Sequence, residues 1–208
     1  MHVLVDDRPY TMAGPANQSL AELANEACAA NRQDEPRYVV SIRCDGQPLS
    51  QEDLAEALES PAERYERVEI QTQPVAALVR SALDQAALVL EDSTIAREKA
   101  ADLLAAGQHE AAMQELQKFL EAWKQIHQTL MVVSQVLGID LDSVADDRAR
   151  LSTVLEVVKS RFAEMKDAMV QNDFVVVGDL LRYELSEPVE QLAGLLRGLG
   201  RSARPNPP

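Results

Sequence analysis

Val68-Glu69-Ile70-Gln71-Thr72-Gln73-Pro74-Val75-Ala76-Ala77-Leu78-Val79 is where the chain changes period. Val68–Thr72 reads as a β-strand. Beyond Pro74 the apolar residues recur three and four apart, the repeat of an amphipathic helix, and continue so for about 125 residues. Before the switch, short strand-like runs alternate with brief helical ones. The chain is therefore expected to be α+β, with a small mixed domain over residues 1–73, an all-α antiparallel bundle over residues 74–200 and a disordered tail over residues 201–208.

Working back from Val68, His2–Val5 reads as a strand, and Asp6-Asp7-Arg8-Pro9 can return it into a second strand over Tyr10–Ala13. Ser19 stands three residues before Glu22, the spacing of a capping box, and Leu20, Leu23, Ala24, Ala27 and Cys28 follow at helical spacing to about Asn31. Arg37–Cys44 is the strongest strand, with Tyr38, Val40, Ile42 and Cys44 on one side and Arg37, Val39, Ser41 and Arg43 on the other. Asp45-Gly46 signals a tight turn, and Ser50 with Asp53 caps a short helix through Leu58. This β-β-α-β-(α)-β order resembles the β-grasp, or ubiquitin-like, fold, which implies one helix packed across a mixed sheet. A ubiquitin-type modifier needs a free diglycine end. Here the last strand runs on into Pro74 and helix, and Gly198-Leu199-Gly200 is no such end, so conjugation is not expected.

Working forward, four long helices are expected: Val75 to about Ala106, His109–Leu137, about Val144–Val170, and Phe174 to about Leu199. Gly107-Gln108, Gly138 and Asn172-Asp173 separate them, and Pro188, lacking an N–H for the Glu184 carbonyl, predicts a kink that Ser186 recaps. Met113, Leu116, Leu120, Trp123, His127, Leu130 and Leu137 form one stripe, widened by Phe119, Ile126 and Val133. Leu151, Leu155, Val158, Phe162, Met165 and Met169 form a second. A faint duplication at an offset of 65 aligns Leu104–Ala112 with Met169–Val177. In both, a helix ends on a small or turn-prone residue and restarts with a ring in its first turn. The hairpins look like halves of a tetratricopeptide repeat, but the 65-residue offset does not fit a 34-residue array.

The run Asn172-Asp173-Phe174-Val175-Val176-Val177-Gly178-Asp179-Leu180-Leu181-Arg182-Tyr183-Glu184-Leu185 is the most distinctive. It resembles a group of uncharacterised bacterial proteins in which a β-grasp-like segment precedes a helical region, a likeness that brings no activity with it. Asp179, Arg182, Tyr183 and Glu184 lie off the apolar seam and are the candidate partner surface.

Bulk composition narrows the chemistry. The net charge is −14, and acids outnumber bases on both sides of the switch, which disfavours nucleic acid and anionic membranes as partners. No apolar run approaches the roughly 20 residues needed to span a bilayer, and the start lacks a signal-peptide pattern, so a cytoplasmic location is expected. Cys28 and Cys44 have no metal spacing and read as reduced and at least partly buried. His127 reads as a core or boundary histidine. Neither His109 nor His127 has the Glu-x-x-His partner of a di-iron bundle. Asp140, Asp142, Asp146 and Asp147 lack the glycine and terminal glutamate of a calcium loop. No phosphate loop, dinucleotide fingerprint, nucleophile elbow or zinc-protease motif is present. No catalytic residue, metal or cofactor is expected.

The expected function is therefore a non-enzymatic protein–protein adaptor, forming a homodimer because the stripes offer more apolar surface than one slim bundle hides. A cytoplasmic chaperone for an exported or flagellar component is the alternative, and would expose a long apolar groove. An enzyme with an unrecognised carboxylate site is the third reading.

Overall fold

The computed structural model describes residues 1–15, 17–30, 35–49, 51–137 and 147–202. The chain is α+β, a five-stranded mixed sheet followed by helices. Its contacts divide into two units, Met1–Leu78 and Val79–Asn206. Ser50, Gly138 and Asp140–Asp146, with the caps, the break and the acidic cluster expected there, lie outside the described residues, as does 203–208.

In the first unit, β1 (His2–Val5), β2 (Arg8–Tyr10), β3 (Arg37–Cys44), β4 (Gln47–Pro48) and β5 (Arg67–Pro74) form a sheet ordered β2-β1-β5-β3-β4. β1 runs parallel to β5, and the other neighbours are antiparallel. Val3, Val5, Ile42, Cys44, Val68 and Ile70 put their side chains into one core with Leu20, Leu23, Ala24 and Ala27 of α1 (Leu20–Ala30). The helix starts as its sequence requires: Ser19 N–H donates to Glu22 Oε2 at 2.8 Å and Glu22 N–H to Ser19 Oγ at 3.1 Å. Each side chain satisfies an amide that the first helical turn leaves free. A short α2 (Gln51–Glu59) and a 3-10 turn (Ala62–Arg64) lead into β5.

Two expectations for the strands are corrected. The return strand is Arg8–Tyr10, not Tyr10–Ala13, because Asp6 and Asp7 both adopt left-handed φ, 50° and 62°, and close a tight turn two residues long. On β3 the pairing runs Val39↔Thr72 and then Ser41↔Gln71, so Val40 is an extra residue in a β-bulge. The bulge reverses the facing of everything before it. Ile42 and Cys44 point inward as expected, but Tyr38 and Val40 are exposed and Val39 packs against the core instead.

Where β1 stops pairing, Asp6 takes over. Its carboxylate accepts from Thr72 N–H at 2.7 Å, Thr72 Oγ1 at 2.8 Å and Arg37 Nη2 at 3.1 Å. Burial pushes the carboxyl up, but those three donors outweigh it and hold it below its ordinary value. Glu26 does the same for the loop after β2, accepting from Ala13 N–H, Tyr10 Oη and Gln18 Nε2. Desolvation and that carboxylate push the Tyr10 hydroxyl up to about 12. Cys44 is buried, and that burial, with the Asp45 charge beside it, raises its thiol to about 11.

The second unit is two helical hairpins. α3 (Val75–Ala105) turns into α4 (His109–Leu137), and α5 (Asp147–Val170) turns into a composite last helix. The two turns share one hydrogen-bond pattern at an offset of 65. Gln108 N–H reaches Leu103 O at 2.9 Å and Asp173 N–H reaches Ala168 O at 2.9 Å. Gly107 N–H reaches Leu104 O at 3.0 Å and Asn172 N–H reaches Met169 O at 3.1 Å. These are Schellman closures, each with its C′ residue at positive φ, Gly107 at 72° and Asn172 at 56°. His109 and Phe174, the rings that open the next helices, stack on each other at 4.2 Å.

The duplication explains the last helix. It consists of α6 (Phe174–Asp179), a π turn (Leu180–Glu184) and α7 (Ser186–Ser202), not one helix kinked at Pro188 and ending near Leu199. Asp173 caps α6 through Val176 N–H at 3.1 Å. Buried Ala112 and Leu116 of α4 correspond to buried Val177 and Leu181 at an offset of 65. Past the π turn, buried Phe119, Trp123, Ile126 and Leu130 correspond to buried Leu185, Val189, Leu192 and Leu196 at an offset of 66. The π turn is one inserted residue, and it keeps the inner face of the helix in phase.

The insertion frees a carbonyl. Leu185 N–H donates to Leu180 O at 3.0 Å, five residues back, so Leu181 O loses its α-helical partner. Arg97 of α3 supplies the replacement: its Nη1 donates to Leu181 O at 2.6 Å and to Ser186 Oγ. Ser186 Oγ in turn donates to Arg182 O at 2.9 Å. Arg97 stands in a heptad with Leu83, Leu90 and Leu104 and is 3% exposed. Desolvation pulls its affinity for the proton down, while Glu98 and Glu190 act to raise it.

Candidate protein-binding groove

The wide stripe on α4 has two faces. Leu116, Phe119, Trp123, Ile126, Leu130 and Val133 are buried. Leu120 is 39% exposed, Met131 is 57% exposed, and His127 is exposed rather than in the core. The stripe read as one seam thus divides: Leu116, Trp123 and Leu130 of the main seam join Phe119, Ile126 and Val133 in the core, while Leu120 and His127 open onto a groove beside α5.

That groove holds a cavity of about 730 Å³ walled by Leu120, Trp123, His127, Leu130 and Met131 of α4 and by Leu155, Val158 and Phe162 of α5. A second cavity of about 410 Å³ shares Leu120 and Phe162 with it and continues along Met165, Met169 and Val170. Leu155, Phe162 and Met169 recur at sevenfold spacing, so one face of α5 lines the whole length. The floor is aromatic: the Trp123 and Phe162 rings meet edge to face at 5.3 Å, and Phe119 lies 6.1 Å from Phe162 and 6.2 Å from Trp123. Interlocked T-shaped rings hold such a floor rigid. The Trp123 indole N–H is buried there without a hydrogen-bond partner.

The lining is apolar and its rim is basic. Lys124 and Lys159 line the first cavity and Lys166 the second, against a single lining carboxylate, Glu156. The whole chain has only five lysines. Lys124 pairs with Glu121 at 3.4 Å and Lys159 with Glu156 at 3.3 Å, both fully on the surface, where such pairs hold a side chain weakly.

Asp179, Arg182, Tyr183 and Glu184 are all exposed, on and just before the π turn, and none lines the groove. Arg182 forms an ion pair with Asp102, and Glu184 receives Arg161 Nη2 at 3.2 Å. Arg161 also grips Glu164 through two contacts of 2.8 Å, and these carboxylates hold its guanidinium more firmly protonated than usual. Tyr183 stands outward between them, 66% exposed. Among the described residues no group of three or more His, Cys, Asp or Glu is placed to hold a metal ion. Among those residues, no helix is long and apolar enough to cross a membrane.

No curated protein and no solved structure matches the chain. A protein family does, over residues 81–194, a range that holds both hairpin turns, the groove and the π turn and leaves out the sheet. The chain belongs to the family described as a domain of unknown function (DUF8042).

Proposed function

We propose that the chain is a non-enzymatic protein-interaction protein in which a β-grasp head precedes an antiparallel helical bundle that receives an apolar helix of a protein partner. The observation that carries the reading is the α4–α5 groove. It is long, apolar and floored by aromatics, the kind of surface that takes an amphipathic helix inserting side chains at i, i+3, i+4 and i+7. The sheet order β2-β1-β5-β3-β4, with β1 parallel to β5 and α1 packed on one face, supports the β-grasp assignment. A client chaperone is the second reading, favoured by the same open apolar length; it would slow aggregation of its client, whereas an adaptor would not. The test is binding of 1-anilinonaphthalene-8-sulfonate by the intact protein. The wild type is expected to enhance the dye's emission, and Leu120→Glu with Met131→Glu to abolish the enhancement while leaving the circular dichroism unchanged. Equal enhancement in the variant would place the apolar surface elsewhere and overturn the reading.

A further inference from the structure

We infer that the partner segment in this groove is an acidic amphipathic helix, whose apolar side chains lie on Leu120, Trp123 and Phe162 and whose carboxylates reach Lys124, Lys159 and Lys166. The inference rests on the helix-binding reading above and adds the chemistry of the occupant.

In a protein of net charge −14, three of its five lysines stand along one groove, on both of its walls. Lys124 is on α4, and Lys159 and Lys166 lie seven residues apart on α5, two turns of one helix face. Helix in a groove between two helices brings its flanking residues against those walls. A basic helix would set cation against cation at both walls, where the carboxylates beside the lysines, Glu121 and Glu156, are already paired with Lys124 and Lys159. Against a net charge of −14, a strip of three lysines attracts an acidic segment locally, which favours specificity and encounter rate.

A second copy of this chain is the competing occupant. A two-fold interface brings the same patch against itself. Two such grooves face to face would bring six lysines together against four carboxylates, two copies each of Glu156 and Glu121, an excess of positive charge. The rim therefore opposes self-pairing through this face and favours a partner of opposite sign.

The test uses the intact protein and three synthetic 18-residue peptides with the same leucine face and with Glu, Gln or Lys on the flanks. Trp123, the only tryptophan, reports occupancy through its emission, checked by anisotropy of labelled peptide. The Glu peptide is expected to bind about tenfold or more tighter than the Lys peptide, three exposed ion pairs each contributing a small factor, with the difference fading in high salt. Reversing the rim with Lys124→Glu, Lys159→Glu and Lys166→Glu is expected to invert that order. Equal binding of all three peptides would overturn the acidic assignment and leave the helix-binding reading standing. Binding of none would overturn both. A protein of twice 22.9 kDa by light scattering that binds no peptide until diluted would give the groove to a second copy, and dodecanoate changing Trp123 emission where no peptide does would give it to a lipid.

Discussion

If the π turn is one inserted residue and Arg97 exists to satisfy the carbonyl it frees, then deletion of Tyr183 has opposite effects in two backgrounds. Deletion closes the π turn into α-helix: Leu185 N–H, now four residues after Leu180, keeps that carbonyl, and Ser186 N–H falls on Leu181 O. In the wild type that displaces Arg97 Nη1 from its 2.6 Å bond and leaves a guanidinium already 3% exposed with less to bond. A lost hydrogen bond from a charged group costs about 1.5–3 kcal/mol. In an Arg97→Met background the cation is gone and Leu181 O is the orphan. There the same deletion restores its partner and gains about 1–3 kcal/mol, the cost of one buried unsatisfied carbonyl. The two effects have opposite sign, so the coupling in a double-mutant cycle is about 2.5–6 kcal/mol. Tyr183 itself is exposed, so its side chain contributes little to either leg. Urea unfolding followed by Trp123 emission reads the helical unit alone, because the only tryptophan lies there. A deletion that destabilises both backgrounds equally would refute the link between Arg97 and the insertion.

Other outcomes follow from the same geometry. Phe119→Ala is expected to lower stability by about 3–5 kcal/mol, as a fully buried ring, while Leu120→Ala, on the groove side, lowers it by well under half of that and weakens peptide binding; equal losses in urea unfolding would contradict the division of the stripe. Gly107→Ala is expected to cost about 1 kcal/mol because φ is 72°, and Asn172→Gly to cost nothing; thermal melts with the order reversed would contradict the matched turns. Asp6→Asn keeps a residue that tolerates left-handed φ but loses the charge, and is expected to cost about 1–2 kcal/mol at pH 7 after allowance for partial exposure. The folded carboxyl lies below its ordinary value. Its contribution is therefore fully present above the unfolded value of about 4 and lost as pH falls through the folded one. The gap between wild type and variant in urea should close on acidification, and a gap that widens would contradict the staple.

Much of the fold was legible from local chemistry. The Ser19–Glu22 box, the Asp45-Gly46 turn, the change from strand to helix at Pro74 and the breaks at Gly107 and Asn172 each rest on a few neighbouring residues, and each stands where its sequence puts it, although the last strand, expected over Val68–Thr72, runs Arg67–Pro74. What was not legible depends on pairing across distance. The bulge at Val40 turns Tyr38 outward only because β5 pairs with β3 out of step there. The π turn is invisible to a 3.6-residue pattern, although Arg97 in the heptad of Leu83, Leu90 and Leu104 was a signal that a core position needed a donor. The groove was hidden by abundance: a stripe that carries both a core seam and a binding face reads as one wide seam. Trp123 and Leu130, read as core, line the groove with their outer sides and remain buried. Asp179, Arg182, Tyr183 and Glu184 lie off the apolar seam and are exposed, but exposure alone does not assemble a concave surface.

The claim that the α4–α5 groove is where a partner helix binds is tested most directly by the methionine methyl spectrum. The chain has six methionines. Met131, Met165 and Met169 line the groove, and Met12 packs against the sheet core of the first unit. On titration of methyl-labelled protein with the Glu-flanked peptide, the account predicts shifts at Met131, Met165 and Met169 together and none at Met12. Shifts confined to Met12, or a saturated complex that leaves the three groove methyls unmoved, would contradict it.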